Sequence, residues 1–287
     1  MERNAVSDWN WNSAWPAPAK LNLFLHVVGR RADGYHLLQT VFRFIDRADM
    51  LRFDPRNDDK IVLATPIPGV PASSDLTVRA ARLLQGATVC RQGVTIHLDK
   101  QLPMGGGLGG GSSDAATVLL ALNHLWQTGL GRPELEKISL ALGADVPVFI
   151  HGRNTFAEGV GEAFTDVALP AESYLVLHPA VHVPTAAIFG APELKRDSAT
   201  MRPADWRHGQ GRNDLEAVAC ARFPAVAEYL ERLKSHAPQA MMTGSGACVF
   251  AGFPRRNEAE ALLAILPSGM RGWIADGLPE HPLAKIC

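Results

Sequence analysis

Six glycines fall within the seven residues Gly105–Gly111, interrupted only by Leu108, and Ser112-Ser113-Asp114 follow directly. Glycine permits positive φ and lets a ligand approach the backbone closely. Ala115, Val118, Leu119, Leu122 and Leu125 then recur at helical spacing, so the loop opens into a helix N-terminus. Unpaired N–H groups and the positive end of the helix dipole meet there, a setting suited to phosphate. Ser112 or Ser113 fits a helix cap or a phosphate contact. A flexible linker of this composition would need neither flank. The loop is not a Walker A sequence, because no lysine follows its last glycine. Gly105, Gly107 and Gly110 match G-x-G-x-x-G, but a dinucleotide fold requires a second strand soon after the helix. The helical segment 133–142 stands there instead.

Phosphoryl transfer needs positioning, charge stabilisation and a group to take the hydroxyl proton. Lys20 and Asp145 are candidates for the last two tasks. Lys20 follows the rigid Pro16-x-Pro18 and lies in the polar row of an alternating segment. Asp145 ends the run Leu142-Gly143-Ala144-Asp145. Taken singly, each reads equally well as a solvated strand lysine or a loop aspartate. Thr243-Gly244-Ser245-Gly246 offers either a second backbone anion contact or a plain strand-entry turn.

The elements that must hold these residues are partly readable. Residues 19–28 alternate, with Leu21, Leu23, Leu25 and Val27 on one face and Lys20, Asn22, Phe24 and His26 on the other, which predicts a strand. Asp33-Gly34 marks a turn, residues 38–44 a second strand, and short strands are expected at 50–53, 61–64 and 94–98. Asp75 caps a predicted helix running to Leu84, with Gly86 just beyond its end, and Pro133 opens another that Gly143 closes. In the second half, strands are expected at 174–177, 247–251 and 273–275, and helices at 214–223, 225–233 and 258–265. Residues 191–211 read as a loop. Gly159 and Gly161 hint at a domain boundary.

Of 287 residues, 47% are hydrophobic and 20% charged, and the net charge is −1. A chain of this size buries a core without staples. Its balanced charge gives no bulk attraction to nucleic acid or anionic membrane. Four dispersed cysteines without a CxxC pair suit a reducing cytoplasm, and zinc spacing is absent. The early apolar run 21–28 is far too short to span a bilayer. The first fourteen residues read as a loose, tryptophan-bearing extension without a signal-peptide pattern.

Three segments together resemble the GHMP kinase superfamily: Pro18-Ala19-Lys20-Leu21-Asn22-Leu23, the run from Leu102-Pro103-Met104 through the glycine loop to Asp114, and Thr243-Gly244-Ser245-Gly246-Ala247. Arg31-Ala32-Asp33-Gly34-Tyr35-His36, Leu142–Pro147 and Phe156–Gly161 are similar to members acting on a cytidine-diphosphate-linked small molecule. The resemblance covers about Trp15 to Gly252. It implies a two-domain α+β fold, residues 1–160 and 161–287, with the active site in the interdomain cleft. It further implies ATP with Mg²⁺, whose protein ligands stay open. Asp145 matches the catalytic base and Lys20 its partner. Pro103, Met104, Gly105, Gly106, Gly107, Leu108, Gly109, Gly110, Gly111, Ser112, Ser113, Lys100 and Asp75 match the nucleotide side. Asp75 stands where the family carries an adenine-side asparagine, and an ionised carboxylate accepts but does not donate. Tyr35, His36 and Phe189 match the cytidine pocket, with Asn22 and Thr185 as further substrate contacts. From sequence alone, Tyr35 and Phe189 would pass for packing aromatics. Competing readings are a homoserine- or mevalonate-type kinase, a nicotinamide oxidoreductase and a non-catalytic ATP-binding regulator. A homodimer is left open.

Overall fold

The computed structural model describes residues 9–67 and 69–286. The first eight residues of the N-terminal extension lie outside the described residues. Trp9 and Trp11, expected in a loose segment, instead pack on the first core, and the Trp9 and Trp15 rings lie 4.8 Å apart. Their apolar area is what ties this part of the extension down.

The first domain begins with β1 (Trp15–Arg30) and β2 (His36–Arg56), paired antiparallel along most of their length. The strands expected at 38–44 and 50–53 are one strand of 21 residues. The polar stretch between them reads as a break, but Asp49 is fully buried because Lys100 and two backbone N–H groups satisfy it. Next come β3 (Ile61–Leu63), α1 (Leu76–Thr88), β4 (Gly93–Asp99), α2 (Gly110–Leu125), α3 (Arg132–Ser139), α4 (Val146–His151), β5 (Thr155–Glu158) and β6 (Ala163–Asp166). The sheet order is β3-β4-β2-β5-β6, with β1 also on β2. Only the β3–β4 pair is parallel. A dinucleotide-binding parallel sheet is therefore not formed. The expected division between residues 160 and 161 falls inside the β5–β6 hairpin, whose second strand continues this sheet to Asp166.

The second domain holds β7 (Ser173–Leu177), α5 (Thr185–Phe189), α6 (Glu216–Arg222), α7 (Pro224–Lys234), β8 (Met241–Met242), β9 (Val249–Phe253), α8 (Arg256–Ile265) and β10 (Gly272–Asp276). Its antiparallel sheet runs β10-β7-β9-β8. The loop read over 191–211 contains a single 3₁₀ turn at Pro203–Asp205 and is otherwise irregular. Residues 278–286 return to the first domain, where Leu283 and Ile286 join its core.

Helix ends depart from expectation for local reasons. Asp75 does cap α1, its Oδ1 accepting from the Thr77 and Val78 N–H groups at 2.8 and 3.3 Å. Gly86, expected past the end, lies within the helix, which runs on to Thr88 and stops at Val89 with φ +56°. Gln85 reaches the carbonyls of Asp59 and Gln92 and so holds the extra turn in place. The helix opened at Pro133 ends at Ser139, short of Gly143. α4 is a helix too short to leave a periodic pattern, and its one sequence signal is Asp145 followed by Pro147 at its start.

β1 crosses three buried clusters. Trp15 and Ala17 belong to the first domain's core, Ala19, Leu21, Leu23 and Phe24 to a cluster between the domains, and Leu25 and Val27 to the second domain's core. Its polar row is buried as well as its apolar row, with Lys20 and Asn22 each 2% exposed. Their side chains close the floor of a cleft between the domains.

Candidate active site

That cleft has a volume of about 910 Å³. It is lined by the glycine loop, the start of α2, the floor of β1, Asp145 at the head of α4, and an aromatic patch at its far end.

The loop lies against the second domain. Ala247 and Cys248 donate backbone N–H to the Gly105 and Gly106 carbonyls at 2.9 and 3.1 Å. Gly107 has φ +74°, and a Cβ there would overlap the Thr243 carbonyl oxygen. Gly109 has φ +72°, and a Cβ there would sit 2.9 Å from the Phe149 ring and 3.1 Å from Lys20 Cε. Only glycine meets both the dihedral and the space at these two positions. The Thr243-Gly244 motif is thus the wall that sets the loop's path.

Lys20 Nζ donates to Asn22 Oδ1 at 2.5 Å and to the Gly107 carbonyl at 2.9 Å, and lies 3.6 Å from Asp145 Oδ2. An ammonium has three N–H donors, so the third is directed toward Asp145. Burial pulls the Lys20 pKa below its ordinary value, with the Asp145 charge opposing the shift. Asn22 is itself held, its amide donating to Thr40 Oγ1 at 2.9 Å and its backbone N–H to Thr243 Oγ1 at 3.0 Å. The Asp145 side chain is 41% exposed and faces the cleft. Asp145 stands at the N-cap position of α4 without capping it, so its carboxylate is uncommitted by the helix.

On the nucleotide side, Pro103, Met104, the six glycines, Leu108, Ser112, Lys100 and Asp75 all line the cleft. Ser113 does not. It is fully buried in α2, and its hydroxyl has no partner among the described residues. Lys100 Nζ bridges two buried carboxylates, Asp114 at 2.7 Å and Asp49. Burial pushes the Asp114 carboxyl upward, Asp49 adding to the shift and Lys100 opposing it. Asp49 also accepts the backbone N–H groups of Gln101 and Leu102 at 2.6 and 2.7 Å. The strand-to-loop corner is therefore braced by charge.

At the far end, the His36 and Phe189 rings lie 5.0 Å apart, and Tyr35 is 62% exposed. Thr185 hydrogen-bonds the Ser245 hydroxyl at 2.8 Å. Arg196 donates to His36 Nε2 at 2.9 Å.

Every expected site residue except Ser113 therefore lines one cleft. Sequence reasoning missed Asp49, Asp114, Thr40 and Arg196. Asp114 had a signal, being the acid directly after the loop serines. The other three act through partners far away in the chain.

The chain matches the family models for the GHMP kinases N terminal domain over residues 75–153 and the GHMP kinases C terminal over residues 193–272. It is 82% identical to a 4-diphosphocytidyl-2-C-methyl-D-erythritol kinase of Dechloromonas aromatica (strain RCB), over 95% of this chain and 99% of that protein. It belongs to this family of GHMP kinases. A second relative, from Thiobacillus denitrificans (strain ATCC 25259 / T1), bears the same name and is 57% identical over 95% of this chain and 98% of its own length. A crystal structure of a 4-(cytidine 5'-diphospho)-2C-methyl-D-erythritol kinase superposes with a TM-score of 0.76 at 36% identity, covering 92% of this chain and 99% of that one. The family is one of kinases, so the chain is a phosphotransferase with an α+β GHMP fold, as the resemblance implied. Among the described residues, no helix is long and apolar enough to cross a membrane.

Proposed function

We propose that this chain transfers the γ-phosphoryl group of ATP to a hydroxyl on the methylerythritol part of 4-diphosphocytidyl-2-C-methyl-D-erythritol, a step of the non-mevalonate isoprenoid route. The observation that carries this reading is the Lys20–Asp145 pair, 3.6 Å apart, between a phosphate-type loop and an aromatic patch in one continuous cleft. The relatives' shared name supplies the substrate.

The phosphates of ATP lie along Gly105–Ser112, against the α2 N-terminus. Asp75 stands at the adenine side, and Lys100 lies beside the head of α2, bonded to Asp114. Asp75 Oδ1 is committed to capping α1, so adenine contact falls to its second oxygen or to neighbours. The cytidine end is taken by Tyr35, His36 and Phe189, which leaves the acceptor hydroxyl near Asp145. As the hydroxyl oxygen bonds to γ-phosphorus, the bond to the bridging oxygen breaks and ADP leaves. Asp145 takes the hydroxyl proton. A modest base suits a loose transition state in which the proton departs late. Lys20, fixed by Asn22 and the Gly107 carbonyl, offsets charge on the transferring group without reorganising.

Among the described residues, no three His, Cys, Asp or Glu side chains gather into a metal cage. Mg²⁺ commonly travels on substrate phosphates with one or two protein ligands. Ser112, lining the cleft by the loop, fits that donor set as a single protein oxygen. The ion would neutralise phosphate charge there.

The test is ADP release with ATP, Mg²⁺ and the cytidyl substrate, beside homoserine and mevalonate. Release with the cytidyl compound alone is expected. Release only with homoserine or mevalonate would contradict the substrate assignment.

A further inference from the structure

Arg196 lies in the irregular stretch after α5 and makes four hydrogen bonds. Its Nη1 donates to the Leu194 carbonyl at 2.7 Å, and its Nη2 to the carbonyls of Phe189 and Ala191 at 3.0 and 2.7 Å. Three bonds thus knot the chain around the end of α5. The fourth, from Nε to His36 Nε2 at 2.9 Å, reaches into the other domain. One guanidinium therefore holds both aromatic walls, the Phe189 backbone and the His36 ring.

The chemistry of the fourth bond is one-sided. A guanidinium donates only and keeps its proton. The imidazole nitrogen facing it must offer a lone pair, so the ring's single N–H resides on Nδ1. A second proton is opposed by partial burial and by the positive charges of Arg196 and Arg30, which lower the His36 pKa. Nδ1 has no protein partner among the described residues, and His36 lines the cleft. His36 is thus presented to the cleft as a neutral, fixed donor.

We infer that Arg196 is a positioning residue that makes the pocket select cytosine over uracil, by locking His36 as an Nδ1–H donor beside Phe189. This rests on the cytidine reading of the cleft given above. The two bases differ at N3, an acceptor in cytosine and an N–H donor in uracil. Directed at N3, a locked donor satisfies cytosine and meets a second donor in uracil, leaving both unpaired. Sites that leave polar groups unpaired reject the wrong partner far more strongly than a mere misfit does. An imidazole free to exchange tautomers could serve either base. Arg196 lies 160 residues from His36 and contacts neither ATP loop nor Asp145, so it tunes recognition apart from chemistry.

The test joins two measurements. Nitrogen-15 NMR of the ligand-free protein reads the His36 tautomer. Nδ1–H is expected in the wild type, shifting toward the ordinary Nε2–H form in Arg196→Met. Calorimetry with CDP and UDP then reads base discrimination without turnover. The wild type should favour CDP at least tenfold. The ratio should approach unity in Arg196→Met, while KM for ATP stays within a few-fold and kcat at saturating substrate changes little. Arg196→Lys, which keeps a cationic donor group without the planar fork, should retain part of the preference, and serves if the methionine variant loosens α5. A wild-type His36 bearing its proton on Nε2 would overturn the lock. An unchanged CDP-to-UDP ratio in a folded Arg196→Met protein would overturn the selectivity claim while leaving the kinase reading intact. A wild-type protein binding neither nucleotide, in spite of an Nδ1–H tautomer, would overturn the cytidine reading and this inference with it.

Discussion

At the phosphate end of the cleft, Lys20 is 2% exposed, and its ammonium is held by a side chain, a loop carbonyl and a carboxylate. At the aromatic end, Tyr35 is 62% exposed, and the His36–Phe189 contact depends on one arginine from an irregular segment. Buried, fully partnered polar groups are rigid and costly to disturb. Half-open aromatic walls supply contact area and adapt to what enters. Chemistry at the first end needs groups fixed before the substrate arrives. Recognition at the second needs surface that a base can still cover. Substitutions at the phosphate end should accordingly change kcat, and those at the aromatic end KM.

Lys20→Met should have the largest effect on the phosphate end. Removing one preorganised charge from a dry site costs about 10²–10³ in rate. A loss of that size in kcat is expected, with KM for the cytidyl substrate nearly unchanged. The wild type should also lose activity as pH rises through the Lys20 pKa, which burial sets below the ordinary value of 10.5. The ammonium is the working form, so the limb lies on the alkaline side. A pH–rate profile of wild type and variant checks this. An alkaline limb that survives in Lys20→Met belongs to another group.

Tyr35→Ala tests the aromatic end. Base–aromatic stacking is worth about 1–3 kcal/mol, or about 5- to 150-fold in KM for the cytidyl substrate. Steady-state kinetics should show that rise with kcat within a few-fold. An unchanged KM removes Tyr35 from the pocket.

The smallest effect concerns the foundation of the phosphate end. α4 carries Asp145 at its head, and its tail is gripped by the C-terminal segment. His281 donates its backbone N–H to the Gly152 carbonyl at 2.8 Å, while Arg132 donates to the Ile150, Leu283, Ala284 and Ile286 carbonyls. Burial, then the Arg132 charge, lowers the His281 pKa from 6.5 to about 3. The folded state therefore keeps this imidazole neutral while the unfolded chain takes up a proton below pH 6.5. Stability is lost as pH falls from 6.5 toward 3, by about 1.4 kcal/mol per pH unit at most from this group. Thermal melts at pH 7.5 and 5.5 should differ, and His281→Asn should narrow the difference. Equal narrowing by mutating an exposed histidine such as His97 would contradict the assignment.

The contrast between the ends also governs what could be read in the sequence. The phosphate end announces itself, because positive φ at Gly107 and Gly109 and close backbone packing demand glycine there. Lys20 and Asn22 were legible as a polar row, but not as buried, since the domain that covers them is contributed by distant segments. The Asp49–Lys100–Asp114 brace was hidden by the polar stretch around Asp46 and Arg47, which reads as a gap between two strands. The aromatic end was legible only through family resemblance. Its geometry depends on a bond between residues 36 and 196, which no local pattern encodes. The α5 helix that presents Phe189 is five residues long, too short to leave a periodic signal.

The most direct measurement is the kcat of Asp145→Asn with the cytidyl substrate, alongside calorimetric binding of ATP. A fall of about 10²–10⁴ in kcat is expected, the usual worth of a positioned general base, with ATP affinity within a few-fold of wild type. Turnover at the wild-type rate would contradict it, because no other carboxylate flanks Lys20 in this cleft among the described residues.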